Sequence, residues 1–178
     1  MKNIKSQIWV ENAIYILIAV IIMAGLLSIA YPQIDKLKDK NIMKQTLSAM
    51  NVLDDKIIKL QQAGEGNVRT VDFKISSGQL EIDAPNNTLR YILEDTRLEL
   101  SEIGQEIEYE NKIFIKTERF GDNFKITARK DYSNILNITY KGQEAVKTLY
   151  AGTTPYSLVL ENKGSDMAAG KTNIDISA

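Results

Sequence analysis

The sequence predicts an α+β protein, in which a long N-terminal helix, transmembrane in its first half, precedes an antiparallel β-sandwich-like head domain. Three observations lead to this fold class. Residues 13–30 carry no charge, residues 34–60 repeat apolar side chains every three or four positions, and residues from 68 onward alternate apolar and polar side chains. These patterns are typical of a membrane span, an amphipathic helix and half-buried strands, respectively.

The first segment has the length and composition of a single membrane-spanning helix. Ten of the 18 residues from 13 to 30 are Ile, Leu or Val, and together they favour insertion by about 3 to 6 kcal/mol. With its apolar flanks the span is predicted at about residues 8–31, which is enough to cross a hydrocarbon core of about 30 Å. Two alternatives stay open: a helix buried in a protein core, and a cleaved secretory signal that ends at Ser28-Ile29-Ala30.

One carboxylate, Glu11, lies at the edge of this uncharged run. A charged side chain at a membrane boundary is costly, so such residues are candidates for a function. The alternative is that Glu11 only marks the start of the helix at the level of the lipid headgroups. The residues from position 5 to 11, Lys-Ser-Gln-Ile-Trp-Val-Glu, resemble the start of a type IV prepilin.

Type IV prepilins have a short basic leader that is cut just before a hydrophobic helix, and the fifth residue of the mature chain is Glu. The archaeal subgroup, which has a class III signal peptide, begins its mature chain with Gln in the pattern Gln-x-Ser-x-Glu-x-x-x-Leu. Gln7 and Glu11 match this pattern. Trp9 and Tyr15 stand in place of its Ser and its Leu.

The resemblance implies where the leader ends and what Glu11 does. It implies a leader at residues 1–6, cut between Ser6 and Gln7 by a prepilin-type peptidase, with Ser6 where bacterial relatives usually have Gly. The cut leaves a positive amine on Gln7, which can pair with Glu11 of a neighbouring subunit inside an apolar bundle. It also implies a cytoplasmic leader and an extracytoplasmic C-terminal domain. The lysines on both sides of the span do not fix its direction by themselves.

Apolar residues at helical spacing continue the helix beyond the membrane. Pro32 is expected to end or to kink the helix at this point. The amphipathic continuation is predicted over residues 34–62, and Gly64-Glu65-Gly66 is a stop signal, so the whole helix is predicted at residues 7–64. Its apolar stripe is expected to pack on the chain's own β domain, on other subunits, or on both.

The predicted β domain occupies residues 67–178. Its short segments of alternating residues are separated by turn signals such as Ser76-Ser77-Gly78 and Gly121-Asp122-Asn123. The predicted strands are residues 68–75, 79–84, 88–94, 113–120, 124–130, 135–140, 145–151, 157–161 and 172–177. Many short strands at regular spacing are typical of an antiparallel sandwich or barrel. No helix is predicted after residue 64.

Composition restricts the chemistry that the chain can perform. The 22 basic and 23 acidic residues nearly balance, so no basic surface for nucleic acid is indicated. The absence of Cys and His excludes Cys–His and Ser–His–Asp sites and metals held by His or Cys. No catalytic residue, cofactor, metal or small-molecule substrate is predicted, and we expect a protein that is not an enzyme. A site made of paired carboxylates or of lysine would still be compatible with the composition.

An acidic stretch lies between the predicted strands 88–94 and 113–120. Residues 94–110 hold seven acidic side chains and one Arg. A Ca²⁺ site is an alternative, but the spacing of an EF-hand is absent. The favoured interpretation is a solvated strand face, because Glu106, Glu108 and Glu110 alternate with apolar residues.

Two triplets have the pattern of N-glycosylation acceptors. They are Asn86-Asn87-Thr88, in a predicted turn, and Asn137-Ile138-Thr139, inside a predicted strand. Asn86 is the better candidate for modification because a turn is more accessible than a strand.

These observations predict a structural protein of the cell surface. The expected role is that of a pilin or pilin-like subunit, held in the membrane as a single-pass protein and then assembled through its helix into a type IV pilus-like filament. The head would mediate adhesion or surface contact. The alternative is a membrane-anchored or secreted β-sandwich binding domain that does not polymerise.

Overall fold

The computed structural model describes residues 4–166 and 170–178, and the side chains of residues 9–165 and 170–178. Within these residues the chain forms one long helix, ten strands and a 3-10 turn at Glu110–Lys112. The elements are α1 (Ile4–Ala63), β1 (Val68–Phe73), β2 (Gln79–Asp83), β3 (Thr88–Thr96), β4 (Glu106–Tyr109), β5 (Ile113–Phe120), β6 (Asn123–Asp131), β7 (Leu136–Tyr140), β8 (Val146–Tyr150), β9 (Tyr156–Asp166) and β10 (Lys171–Ser177). The predicted α+β layout, a long apolar helix followed by antiparallel-rich sheets, is confirmed.

The chain divides into two compact units, and the division falls inside α1. The first unit is Met1–Lys38 and the second is Asp39–Ala178. Pro32 is an internal residue of α1, so it does not end the helix. Residues 39–63 of α1 belong to the same compact unit as the strands, which we call the head.

The second half of α1 supplies one wall of the core of the head. Its buried apolar residues are Met43, Leu47, Met50, Leu53, Ile57 and Leu60, each 5% exposed or less. Full burial of such a side chain contributes about 1.5–3 kcal/mol. Ile34 and Leu37 continue the same stripe in sequence but are 57% and 61% exposed. The core of the head therefore uses only the part of the predicted stripe from Met43 onward.

Two sheets complete the core. One has four strands in the order β1-β9-β10-β7, and the other has six in the order β4-β5-β6-β3-β2-β8. Neighbouring strands are antiparallel except β7 and β10, which pair in parallel. Every strand except β4 contributes a side chain to the buried apolar cluster that also contains the helix residues. The edge strand β4 is exposed along its whole length.

A buried ion pair joins α1 to β6. Asp54 Oδ2 accepts a hydrogen bond from Lys130 Nζ at 2.9 Å, and both side chains are nearly buried, with 12% and 13% exposed. Asp54 Oδ1 accepts from the Tyr132 hydroxyl at 3.0 Å, and Lys130 also donates to the backbone oxygen of Asn111. Burial and the adjacent Asp54 carboxylate raise the pKa of Tyr132 well above its usual value.

Other polar contacts fix the two ends of the buried half of α1. Asn162, on β9, donates from Nδ2 to the Leu60 carbonyl oxygen at 2.9 Å, which satisfies a group that the end of a helix leaves free. At the other end, the Thr96 hydroxyl donates to Asp39 Oδ2 at 2.6 Å. Both ends of the buried half of α1 are therefore tied to the sheets by hydrogen bonds that involve specific side chains.

The observed strands agree closely with the predicted ones. All nine predicted strands are present, and their ends agree within two residues except that β9 continues to Asp166. The additional strand, β4, lies in the acidic stretch. The prediction that Glu110 lies on a strand with Glu106 and Glu108 is wrong, because Glu110 begins the 3-10 turn that leads into β5. A residue in that turn no longer alternates with the strand.

Candidate functional site

The first unit presents an apolar surface on all sides of the helix, which we call the apolar segment (residues 9–34). Every large apolar side chain in it is between 43% and 79% exposed, with Leu27 and Trp9 as the extremes. The helix is long and apolar enough to cross a membrane, and the most apolar window is 0% buried. Soluble monomers rarely expose contiguous apolar patches beyond a few hundred Å². This surface therefore has to be covered by lipid or by protein.

Glu11 is the only charged residue in the apolar segment. It is exposed and forms no salt bridge to any residue that the structure describes. An acidic side chain at the centre of a membrane span costs about 2.5–3.5 kcal/mol on insertion scales, and less near its edge. A carboxylate in these surroundings gains most from a cationic partner when the helix packs among other apolar helices.

The predicted processing site falls outside the described side chains. Residues 4–8 are described only as the start of α1, so nothing follows for the side chains of Ser6 and Gln7, and residues 1–3 of the predicted leader lie outside the described residues. Cleavage between Ser6 and Gln7 stays a prediction.

The head has an apolar groove between α1 and the edge strand β4. It consists of two adjoining cavities of about 480 and 190 Å³ that share Lys44, Leu47 and Tyr109. Its apolar floor is formed by Met43, Leu47, Leu100, Ile107, Tyr109 and Ile115. We call it the β4 groove. The groove forms because the apolar side chains of β4 lie on the face of the sheet that is turned toward α1, but none of them is part of the buried core.

The outer face of the six-stranded sheet carries a network of ion pairs around a shallow concavity of about 420 Å³. Arg90 and Arg129 stand directly opposite each other on β3 and β6, an arrangement that would be unfavourable without counter-charges. Arg90 pairs with Glu81 at 3.1 Å and Asp83 at 2.9 Å, and Arg129 pairs with Glu106 at 3.1 Å. Charges of both signs alternate here, so this face does not select a ligand of one charge.

The two candidate glycosylation sites differ in access. Asn86 is exposed in the turn between β2 and β3, and its Nδ2 donates to both carboxylate oxygens of Asp83 at 3.1 and 2.9 Å. Asn137 lies within β7, half-buried, with its Nδ2 donating to Asn173 Oδ1 at 3.1 Å. Modification of either residue stays a prediction.

The described residues hold no group of three or more His, Cys, Asp or Glu side chains that could bind a metal ion. The acidic residues between positions 94 and 110 are therefore spread over the surface rather than collected around one point. Tyr91 is the other tyrosine with a shifted pKa: burial raises the pKa of its hydroxyl to about 12, and this hydroxyl donates to the Ser77 carbonyl oxygen at 2.6 Å. That hydrogen bond serves the core and implies no chemistry.

Sequence reasoning did not identify the β4 groove. The residues that form it belong to the predicted helix stripe, the acidic stretch and the predicted strand 113–120, and nothing in the sequence alone shows that these segments are neighbours. The only local signal is that Ile107 and Tyr109 alternate with glutamates in a segment too short and too acidic to join the core. Comparisons of the chain with protein-family models, curated proteins and solved structures returned no match.

Proposed function

We propose that the protein is a structural subunit of a type IV pilus-like surface filament, processed between Ser6 and Gln7 and assembled through the apolar segment of α1. In this function the segment has two environments in succession. It first lies in the membrane, where lipid covers it, and then in the filament, where the same segments of other subunits cover it. The head remains outside the cell and forms the surface of the filament, where it makes contact with other surfaces.

The observation that carries the proposal is the single carboxylate in an exposed apolar helix. A segment that served only as a tether would gain nothing from Glu11, since an unpaired carboxylate disfavours insertion. A segment that leaves the lipid and packs among copies of itself gains a defined axial register if Glu11 pairs with the amine that cleavage creates on Gln7.

The N-terminus of the mature protein tests the first step. Protein extracted from membranes of the native host is sequenced from its N-terminus, and we expect the first residue to be Gln7. A first residue of Tyr31 would mean that the apolar segment is a secretory signal that has been removed, and the proposal would then be wrong. An intact leader would support a permanently anchored protein that does not polymerise.

Electron microscopy of cell surfaces with and without the gene tests the second step. We expect filaments that disappear on deletion and return on complementation. Glu11→Gln keeps the size of the side chain and removes its charge, and we expect it to leave the protein in the membrane fraction but to impair filament formation. Asn12→Ala, a change at the adjacent polar residue, is the matched control and should leave filaments intact. Normal filaments from Glu11→Gln would show that the carboxylate only marks the edge of the helix.

A further inference from the structure

The β4 groove is an opening in the core of the head that the chain itself does not fill. On β5, the residues Ile113 and Ile115 are 0% and 2% exposed, whereas their partners on β4, Tyr109 and Ile107, are 39% and 40% exposed. Both members of each pair point to the same face of the sheet, because cross-strand partners share a face. α1 therefore covers the apolar side of β4 only in part, and the groove between them remains open.

The edges of the β4 groove are charged. On the helix side, Lys40 and Lys44 are exposed, line the groove, and form no salt bridge to any residue within the described ranges. At its far end, beside Ser48 and Asn51, the groove is lined by Glu110. A helix that fits this groove would present an apolar stripe to the floor, an acidic residue at the level of Lys44 and a basic residue at the end lined by Glu110.

One stretch of this chain has that order of residues. Leu27, Tyr31, Ile34 and Lys38 follow one another at steps of four, three and four, so they lie on one face of α1. The three apolar members are 43%, 60% and 57% exposed. Asp35 borders the same face, one residue after Ile34, and is exposed. The acidic residue followed by a basic one matches the order of Lys44 and Glu110 along the groove, and the apolar residues match its floor.

We propose that the β4 groove receives residues 27–38 of α1 from a second copy of this chain. Copies inserted in one membrane point the same way, so the two helices are parallel. Alignment of Asp35 with Lys44 displaces the second copy by nine residues, or about 14 Å along the helix. The same shift brings Lys38 to the level of Leu47, at the end of the groove that Glu110 lines. Tyr31 and Ile34 of that copy then lie on the apolar floor. This proposal rests on the proposed filament function and extends it, because it identifies the surface by which one subunit binds the next.

Site-directed cross-linking tests the contact. The chain contains no cysteine, so each introduced cysteine is the single reactive thiol in its copy. Two differently tagged full-length copies are expressed together in the native host, one with Ser48→Cys in the groove and the other with Lys38→Cys. A short bismaleimide is then added to membranes and to sheared surface material. Lys36→Cys is the matched control, because it replaces an exposed lysine two residues away on the opposite face of the helix.

We expect cross-linking of Ser48→Cys to Lys38→Cys on the order of tenfold above that to Lys36→Cys, since opposite faces of a packed helix differ strongly in access to one partner. Equal yields from the two positions, or cross-links from Ser48→Cys to another protein and none to the second copy, would overturn the contact. Filaments without the Ser48–Lys38 cross-link would refute the contact and leave the filament function standing. The cross-link without filaments would support the contact and refute the filament function.

Charge reversal gives an independent measurement on the same pair of cysteines. Asp35→Lys in one copy should lower the cross-linked fraction about two- to fivefold, the effect of one partly exposed ion pair. Lys44→Asp in the other copy should restore it when the two changes are combined. Lys36→Asp is the control on the opposite face and should change nothing. A double variant that cross-links no better than Asp35→Lys alone would refute the pairing of Asp35 with Lys44.

Discussion

The two adjacent aspartates Asp54 and Asp55 provide a direct test of what holds α1 to the sheets. Each pairs with a lysine, Asp54 with Lys130 at 2.9 Å and Asp55 with Lys59 at 2.7 Å. They differ in surroundings, since the side chains of the first pair are 12% and 13% exposed and those of the second are 52% and 56% exposed. The same substitution to alanine at the two positions therefore compares a buried ion pair with an exposed one.

The expected costs differ severalfold. Asp54→Ala leaves the Lys130 ammonium nearly buried with only a backbone oxygen as partner, and it also removes the acceptor of the Tyr132 hydroxyl. Breaking a buried pair in this way costs about 3–5 kcal/mol. Asp55→Ala breaks an exposed pair one turn apart on the helix, which is worth about 0.3–0.5 kcal/mol. Asp54→Ala is therefore expected to remove a large part of the free energy of unfolding of the head.

Urea denaturation of the full-length protein in detergent micelles measures both values, with near-UV circular dichroism of the tyrosines in the head as the signal. The midpoint should fall strongly for Asp54→Ala and hardly at all for Asp55→Ala, with the same dependence on urea in both. The double variant Asp54→Leu with Lys130→Met removes both charges and should recover part of the loss, because an apolar pair of similar volume needs no counter-charge. The Tyr132 hydroxyl still lacks its acceptor in this variant, so recovery should stop short of the wild-type midpoint. Equal midpoints for the two alanine variants would refute the claim that the buried pair anchors the helix.

Three further predictions concern the head. The fold raises the pKa of Tyr132 above its ordinary value of 10.0. Above pH 10 the unfolded chain therefore loses the Tyr132 proton first, and the free energy of unfolding should fall by up to about 1.4 kcal/mol per pH unit. Tyr132→Phe should make this fall less steep in a plot of stability against pH, and an unchanged slope would contradict the raised pKa. Gly78 has φ +72°, and an added Cβ would collide with the Ile92 carbonyl oxygen. Gly121 has φ +59° but open space around it, so Gly78→Ala should lower the urea midpoint more than Gly121→Ala does. Equal midpoints would show that the backbone around Ile92 moves to make room for the Cβ. Asn86→Gln should abolish any glycan-dependent shift in gel mobility of the protein from its host, and a persistent shift would place the glycan elsewhere.

The sequence predicted most of the fold because each element has its own period. An uncharged run, a stripe at helical spacing and alternation at every second residue are local signals, and the structure confirms the elements that they indicate. Burial by the second half of α1 begins at Met43 rather than at Ile34, although both belong to one stripe. Periodicity shows which face of a helix is apolar, but it does not show whether that face meets its own domain or another surface.

The pairing of strands and the groove could not be predicted, because both depend on contacts between distant parts of the chain. Strand β4 is four residues long and exposed, so neither its length nor its composition distinguishes it from a loop. Asp54 interrupts the apolar stripe of α1. Burial of the Asp54 carboxylate is favourable only because it pairs with Lys130, which is 76 positions away in the sequence. Glu11 could be identified from a local motif, because the role proposed for it depends on its neighbours in sequence and not on the fold of the head.

The position of β10 within its sheet has a consequence for when the head can form. β10 lies between β9 and β7, and it is the strand that emerges last of the three during synthesis. Until it is made, β7 has no neighbour in that sheet, and the apolar face of the second half of α1 lacks part of its cover. The four-stranded sheet can therefore be completed only after β10 has been made. In the completed head, β10 joins β7 to the rest of this sheet.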